Sequence, residues 1–119
     1  MGFIPVRDLS KARRFYEQTL GLPVVEETPV ALVLDANGTQ VRLTSVSDFS
    51  PQPFTIAGWD VADIAATVRS LAERVVVFQR YEGMDQDELG IWTAPSGDRV
   101  AWFADPEGNT LSLTTFAGR

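Results

Sequence analysis

The sequence contains the same short pattern twice, and this repetition limits the folds open to it. Asp35–Thr44 (DANGTQVRLT) and Asp105–Thr114 (DPEGNTLSLT) share four of ten positions. Upstream, Val6–Leu9 (VRDL) matches Val61–Ile64 (VADI). Each upstream element precedes apolar residues at helical spacing, and each Asp-x-x-Gly element opens a strand pattern. The chain therefore predicts two copies of one βαβββ unit, and a repeat this short predicts a paired domain with a ligand cleft between its halves.

The repeat divides the 119 residues into two modules of a single α+β domain. Module one spans about residues 1–47, a Ser- and Pro-containing linker spans about 47–53, and module two spans about 54–119. We expect helices over Asp8–Leu20 and Asp63–Glu73, the first capped by Asp8 or Ser10 and the second by Asp63. Val75–Phe78 has the β-branched composition of a strand. Residues 81–97 have no counterpart in module one and are interpreted as an insertion.

Composition excludes several classes of function. The net charge of −6 argues against nucleic acid, which requires a basic surface. It favours cationic small molecules, although acidity also simply promotes solubility. The chain has no Cys and no His, so it offers no thiolate or imidazole for catalysis or metal binding. No apolar run approaches the length of a membrane span, so we expect a cytoplasmic protein without a membrane partner.

Alternation along the strands predicts which side chains face the helices. Leu111 and Leu113 should pack on a helix, whereas Ser112 should face away from it. The same reasoning turns Gln40 and Arg42 away from the first helix. The outward positions are small, polar or aromatic, which suits a ligand site better than a packed core.

Three motifs resemble the vicinal oxygen chelate superfamily, which groups glyoxalase I, extradiol dioxygenases, fosfomycin-resistance enzymes and bleomycin-resistance proteins. They are Val6-x-Asp-Leu-x-x-Ala-x-x-Phe-Tyr16, Leu20-Gly-Leu22 and Asp105-Pro-Glu-Gly-Asn-x-Leu111. The resemblance implies two tandem βαβββ modules with curled sheets around a cleft. It also implies that the protein forms a homodimer.

The family's enzymes bind a divalent metal through His and Glu at four strand positions. The resemblance places Met1, Arg42, Ile56 and Ser112 at these positions. None of these side chains is a competent divalent-metal ligand, and the cation of Arg42 would repel a metal. We therefore expect that the protein binds no metal and no other cofactor. Within the superfamily, it is closest in character to the metal-free bleomycin-resistance branch.

The first functional hypothesis is a binding protein that sequesters a small, partly aromatic molecule. Aromatic side chains bury a large area with little loss of side-chain freedom. The carboxylates of residues 82–88 would suit a cationic ligand, or form only a solvated loop. Trp59 and Trp102 are interpreted as core residues. The candidate ligand-binding residues are Phe3, Val33, Gln40, Arg42, Phe54, Ile56, Asp60, Tyr81, Trp92, Phe103 and Ser112, with Pro5 as a further lining residue.

Two enzymatic alternatives stay open. In a metal-free lyase, isomerase or dioxygenase-type enzyme, Arg42 would hold a carboxylate or phosphate and Asp60 would be the nearest general base. In a metal-dependent enzyme, relocated carboxylates from residues 82–88 would bind the ion, although their spacing matches no known loop. Arg42 has two expected partners, Asp60 or an anionic ligand, because an unpaired buried charge is costly.

Overall fold

The chain divides into two compact units, and each is described separately below. The structure is a computed structural model that describes residues 2–36 and 38–118. Unit one comprises Met1–Pro53 together with Asp105–Asn109. Unit two comprises Phe54–Ala104 and Thr110–Arg119. Met1, a predicted metal position, and Asn37, in the predicted hairpin turn, lie outside the described residues. No helix in the described residues is long and apolar enough to cross a membrane.

Unit one is a four-stranded mixed sheet with one helix against it. Its elements are β1 (Gly2–Val6), α1 (Leu9–Arg13), a π-helical segment (Arg14–Thr19), β2 (Val24–Glu27), β3 (Ala31–Ala36) and β4 (Thr39–Ser45). The strand order is β1-β4-β3-β2. β1 runs parallel to β4, and the other neighbours are antiparallel. Ile4, Leu43 and Leu32 are cross-strand partners and are all buried, which forms the core on the helix side.

The predicted first helix is present, but it changes character halfway. Asp8 caps its start by accepting a hydrogen bond from the Lys11 N–H at 3.1 Å. From Arg14 the helix widens to π geometry, and the Leu20 N–H donates to the Phe15 carbonyl five residues back. Periodicity does not distinguish these two helix types, so the sequence predicts only a helix here.

The Asp105–Asn109 turn fastens unit one through buried carboxylates. The Asp105 carboxylate accepts the Tyr16 hydroxyl at 2.7 Å, the Asn109 amide at 3.0 Å, and the Glu107 and Asn109 N–H groups at 2.9 Å. Burial is the main cause that raises the pKa of Tyr16, and the charge of Asp105 raises it further. This hydroxyl therefore stays protonated and donates to the carboxylate.

Glu107 makes a second attachment from the same turn. It accepts Arg7 Nε at 2.8 Å and the Asp8 N–H at 3.0 Å. Burial alone would raise the pKa of the Glu107 carboxyl, but these hydrogen bonds and the Arg7 charge outweigh it and hold the pKa below the usual 4.5. The turn thus links the start of the first helix to residues near the end of the chain.

Unit two is also a four-stranded mixed sheet with one helix. Its elements are β5 (Thr55–Asp60), α2 (Ile64–Glu73), β6 (Trp92–Thr93), β7 (Arg99–Ala104) and β8 (Thr110–Thr115). The strand order is β5-β8-β7-β6, with β5 parallel to β8. Asp63 caps α2 through the Ala66 N–H at 3.1 Å, as predicted. Ile64, Val68 and Leu71 are buried on the side of α2 that faces the sheet.

The prediction of a strand over Val75–Phe78 is wrong. Val75 has a φ of 68° and is the only described non-glycine residue with positive φ. Its N–H donates to Ala72 O and the Val76 N–H donates to Leu71 O, each at 3.0 Å, which together form a Schellman motif that ends α2. Helix termination therefore uses the valines that composition assigns to a strand. The strand paired with β7 is instead β6, inside the predicted insertion.

Candidate functional site

Aromatic side chains gather on the face of sheet two that lies opposite α2. Trp102 pairs with Ser112, whereas its neighbours Ala101 and Phe103 pair with the buried Leu113 and Leu111. Trp102 therefore points away from the helix. The Trp92 ring lies 6.2 Å from the Trp102 ring, centroid to centroid. We call this surface, defined by Trp92, Trp102, Tyr81, Ser112 and Gly58, the aromatic face.

Tyr81 completes the aromatic face from a loop. Its ring meets Trp102 edge to face, with centroids 5.5 Å apart and planes at 88°. Its hydroxyl donates to Gln79 Oε1 at 2.5 Å, and the Gln79 N–H donates to the Trp102 carbonyl at 2.8 Å. Partial burial raises the pKa of the Tyr81 hydroxyl, so it remains neutral at ordinary pH.

A single glutamine organises the loop that carries Tyr81. The Gln86 amide donates to Gln79 O at 3.0 Å and to Gly90 O at 2.9 Å, while its Oε1 accepts the Tyr81 N–H at 2.8 Å. Both the amide nitrogen and the amide oxygen of Gln86 therefore bind backbone groups of the loop and its flanking residues. These hydrogen bonds hold the loop in one conformation and thereby position the Tyr81 ring against Trp102.

The carboxylates of the same loop do not form a metal site. Asp87 Oδ1 accepts the Leu89 and Ile91 N–H groups at 2.9 Å, and Asp87 Oδ2 lies 3.8 Å from Arg99. This carboxylate is therefore committed to the turn. Among the described residues, no group of three or more His, Cys, Asp or Glu side chains is placed to hold a metal ion.

The smallest residues of the aromatic face are Gly58 and Ser112. They are register partners on β5 and β8, and Ser112 is in turn opposite Trp102 on β7. A Cβ atom added to Gly58 would lie 2.4 Å from Ser112 Oγ. The serine hydroxyl therefore occupies the space above the glycine, and no larger residue fits at position 58 without displacing it.

In unit one, Arg42 lies on the face of the sheet opposite α1. It is in register with Phe3 on β1 and Val33 on β3. Phe3 is largely exposed, Arg42 is half-buried and Val33 is buried. The Arg42 guanidinium makes no hydrogen bond or ion pair within the described part of unit one. The two expected partners, Asp60 and an anionic ligand, both stay predictions.

Two predicted assignments on β7 are corrected by the register. Phe103, a predicted ligand-binding residue, does not line the site: it is fully buried, pairs with Leu111 and has its ring 5.4 Å from Phe78 in the core of unit two. Trp102, which the sequence analysis assigns to the core, lies instead on the aromatic face and is partly exposed. The hairpin geometry predicts this, because residues opposite each other across the turn must share a face.

The other predicted site residues lie in several places. Phe54 precedes β5 and is exposed, and Ile56 sits at a register irregularity of the same strand. Asp60 is exposed on the Ser112 side of sheet two and pairs with Thr114. Gln40 is exposed and pairs with Asp35 in the β3–β4 hairpin.

Unit one also has a pocket of about 640 Å³ on the helix side of its sheet. Arg13 lines this pocket, and its guanidinium donates to Glu27 at 2.5 and 2.6 Å and to Glu17 at 3.2 Å. The charge of Arg13 is therefore already neutralised. The lining residues are Leu9, Ser10, Arg13, Arg14, Glu27, Thr28, Pro29, Ala31 and Leu32.

Comparison with known proteins identifies the family. The profile of the Glyoxalase/Bleomycin resistance protein/Dioxygenase superfamily matches residues 2–113, so the chain belongs to this superfamily. The recognition made from the sequence motifs is thereby confirmed. The sequence matches no curated protein.

Solved structures show the same fold. A superfamily member from Sphaerobacter thermophilus is 26% identical, with a TM-score of 0.72 over 96% of this chain and 93% of that one. The bleomycin resistance determinant encoded on transposon Tn5 is 18% identical, with a TM-score of 0.73 over 98% and 95%. A glyoxalase family protein from Bacillus anthracis is 13% identical, with a TM-score of 0.76 over 96% and 90%. The predicted α+β glyoxalase/bleomycin-resistance fold class is confirmed.

Proposed function

We propose that this protein binds a small molecule carrying a flat aromatic group, on the aromatic face, without a divalent metal. The observation that carries the proposal is the grouping of Trp92, Trp102 and Tyr81 on a face that the helix of unit two does not cover. Such rings favour offset or edge contacts with a planar ligand. The role is sequestration of the ligand rather than its chemical conversion.

The chemistry of the side chains supports a metal-free site. Of the four positions that the family's enzymes use for metal ligands, Ile56 has no donor atom, Arg42 is a fixed cation and Ser112 offers a neutral hydroxyl. These residues do not fit a divalent ion. No reaction step is therefore assigned to a metal in this protein.

The test is a ¹⁹F NMR binding titration of the protein as purified, with and without EDTA, with 4-fluorotoluene as a minimal aromatic probe and bleomycin as a competitor. We expect saturable binding that excess EDTA leaves unchanged. Trp102→Ala should weaken it by about threefold to tenfold, because an aromatic pair contributes roughly 0.5–1.5 kcal/mol beyond area burial. Trp59→Phe is the matched control, since Trp59 pairs with Leu113 on the helix side.

Two results would contradict the proposal. If EDTA abolishes binding, the site depends on a metal. If Trp59→Phe weakens binding as much as Trp102→Ala, the ligand does not lie on the aromatic face.

Arg42 favours a second candidate function, recognition of an anionic group as in a metal-free enzyme. Its half-buried guanidinium has no anion to pair with inside the described part of unit one, and Arg binds carboxylates in a bidentate manner. Titration with 4-fluorobenzoate tests this function. Arg42→Ala should abolish binding of this probe while Arg42→Lys retains part of it, and equal binding by all three proteins would refute it.

We also propose that the protein forms a homodimer in the cytoplasm. Edge strand β1 carries the exposed Phe3, and the exposed Phe54 immediately precedes edge strand β5. Unpaired edges with apolar side chains favour association with a second copy. Sedimentation equilibrium is the test of assembly, and a monomer at micromolar concentration would refute it.

A further inference from the structure

We propose that the hydroxyl of Ser112 is the polar anchor of the aromatic face, so that the ligand's aromatic ring carries a hydrogen-bonding group at its edge. This inference rests on the proposed aromatic site and narrows its ligand class. The favoured ligands are phenols and heteroaromatic or carbonyl-bearing rings, as opposed to plain hydrocarbons.

The first argument is the unused hydrogen-bonding capacity of Ser112. The residue is 9% exposed, and its Oγ makes no hydrogen bond to any described residue. In the described residues, Asn109 Oδ1 is the only unpartnered side-chain atom that is wholly buried. Ser112 Oγ therefore keeps contact with the space outside the sheet. A hydroxyl that is almost buried and unpaired gains more from a ligand partner than an exposed one does.

The second argument is the position of the hydroxyl between Gly58 and Trp102. Trp102 flanks Ser112 on one side of β8, and Gly58 flanks it on the other. Because Gly58 has no side chain, the space over it belongs to Ser112 Oγ, which lies 2.4 Å from where a Cβ would stand. A ring stacked against Trp102 therefore presents its edge, rather than its face, toward the hydroxyl.

The third argument is the chemistry of the neighbourhood. Across the neighbouring strands Ser112 is flanked by Trp102 and Gly58, and along β8 it is flanked on the same face by Thr110 and Thr114. Of these hydroxyls, that of Ser112 is the one whose residue is in register with Trp102. A hydroxyl both donates and accepts, so it pairs with a phenolic O–H, a ring nitrogen or a carbonyl. Small-molecule sites are lined mainly by apolar side chains, and a few polar groups fix the orientation of the ligand.

The experiment compares two probes of nearly equal size, 4-fluorophenol and 4-fluorotoluene, by ¹⁹F NMR titration of the wild type and Ser112→Ala. The ratio of the two dissociation constants is measured in each protein, which cancels the difference in hydration of the probes. We expect Ser112→Ala to shift this ratio against 4-fluorophenol by about threefold to tenfold, the range of a net hydrogen bond. Binding of 4-fluorotoluene should change little.

The controls separate this inference from the proposed function. Ser70→Ala removes an exposed hydroxyl from α2 and should leave the ratio unchanged. Thermal unfolding of each variant verifies that it is folded. If both probes bind but Ser112→Ala leaves their ratio unchanged, the anchor is refuted and the aromatic site stands. If neither probe binds the wild type, the proposed function and the anchor both fail.

Discussion

Replacing Val75 with glycine should make the protein more stable, although glycine removes a side chain. Val75 holds a left-handed conformation with a φ of 68° at the position after the C-terminal cap of α2. A β-branched residue is an outlier there, whereas glycine adopts this conformation without a steric penalty. The Val75 side chain is 84% exposed, so its removal sacrifices little apolar burial.

The magnitude follows from two opposing terms. The left-handed conformation costs an L-residue roughly 1–2 kcal/mol, which glycine would remove. Glycine also increases the entropy of the unfolded chain, which costs about 0.5–1 kcal/mol. We therefore expect Val75→Gly to raise the free energy of unfolding by up to about 1.5 kcal/mol, with a central value of roughly 0.75 kcal/mol. The buried contact expected between Val76 and Leu71 in this motif is left in place.

Urea unfolding at 25 °C measures the effect, and Val77→Gly provides the control. Val77 is similarly exposed, at 78%, and does not have a positive φ. Its replacement by glycine adds only the entropic cost and should lower stability by about 0.5–1 kcal/mol. If Val75→Gly is no more stable than Val77→Gly, Val75 is not strained and the reasoning fails.

Three further predictions concern the buried polar groups. Tyr16→Phe should lower the free energy of unfolding by about 1.5–3 kcal/mol in urea unfolding, because the Asp105 carboxylate loses a buried donor, and an unchanged midpoint would contradict this role. The pKa of Glu107 is depressed in the folded state, so its stabilisation is complete above pH 4.5 and disappears as the pH falls through the folded pKa. The stability gap between wild type and Glu107→Gln should therefore shrink below pH 4.5, and a gap independent of pH would refute the assignment. Gly58→Ala should cost about 0.5–1.5 kcal/mol in thermal unfolding, because Ser112 Oγ must leave its present position. Ser112→Ala should recover part of that loss by removing the clashing oxygen, and the absence of recovery would contradict the close approach.

Local rules predict the helix starts in this chain and fail at the end of α2. Asp8 and Asp63 cap their helices as the sequence indicates, because a cap depends only on the next few residues. The valines at positions 75–77 lead to a wrong prediction of a strand, because strand propensity reflects packing on a sheet. In the structure, Val75 and Val76 instead terminate a helix. The backbone hydrogen bonds of the Schellman motif decide their conformation.

The candidate site is predicted in part. Residue type and strand alternation indicate Tyr81, Trp92 and Ser112, which lie together on the aromatic face, and their part in ligand binding stays a prediction. Trp102 and Phe103 exchange roles because the register of the last hairpin decides their faces, and a shift of one residue reverses every side chain. The contribution of Gln86 has no sequence signal, since its hydrogen bonds join loop positions with no periodicity.

The turn at Asp105–Asn109 has a consequence for the order in which the protein is synthesised. The partner of Tyr16 is synthesised 89 residues after it, and the partner of Arg7 is synthesised 100 residues after it. The first unit, although nearly continuous in sequence, therefore cannot complete its interior during early translation. A fragment cut at the linker of residues 47–53 would lack both carboxylates. The two copies of the sequence repeat therefore depend on each other, because the turn at the start of the last strand of the second copy supplies buried hydrogen bonds to the first helix of the first copy.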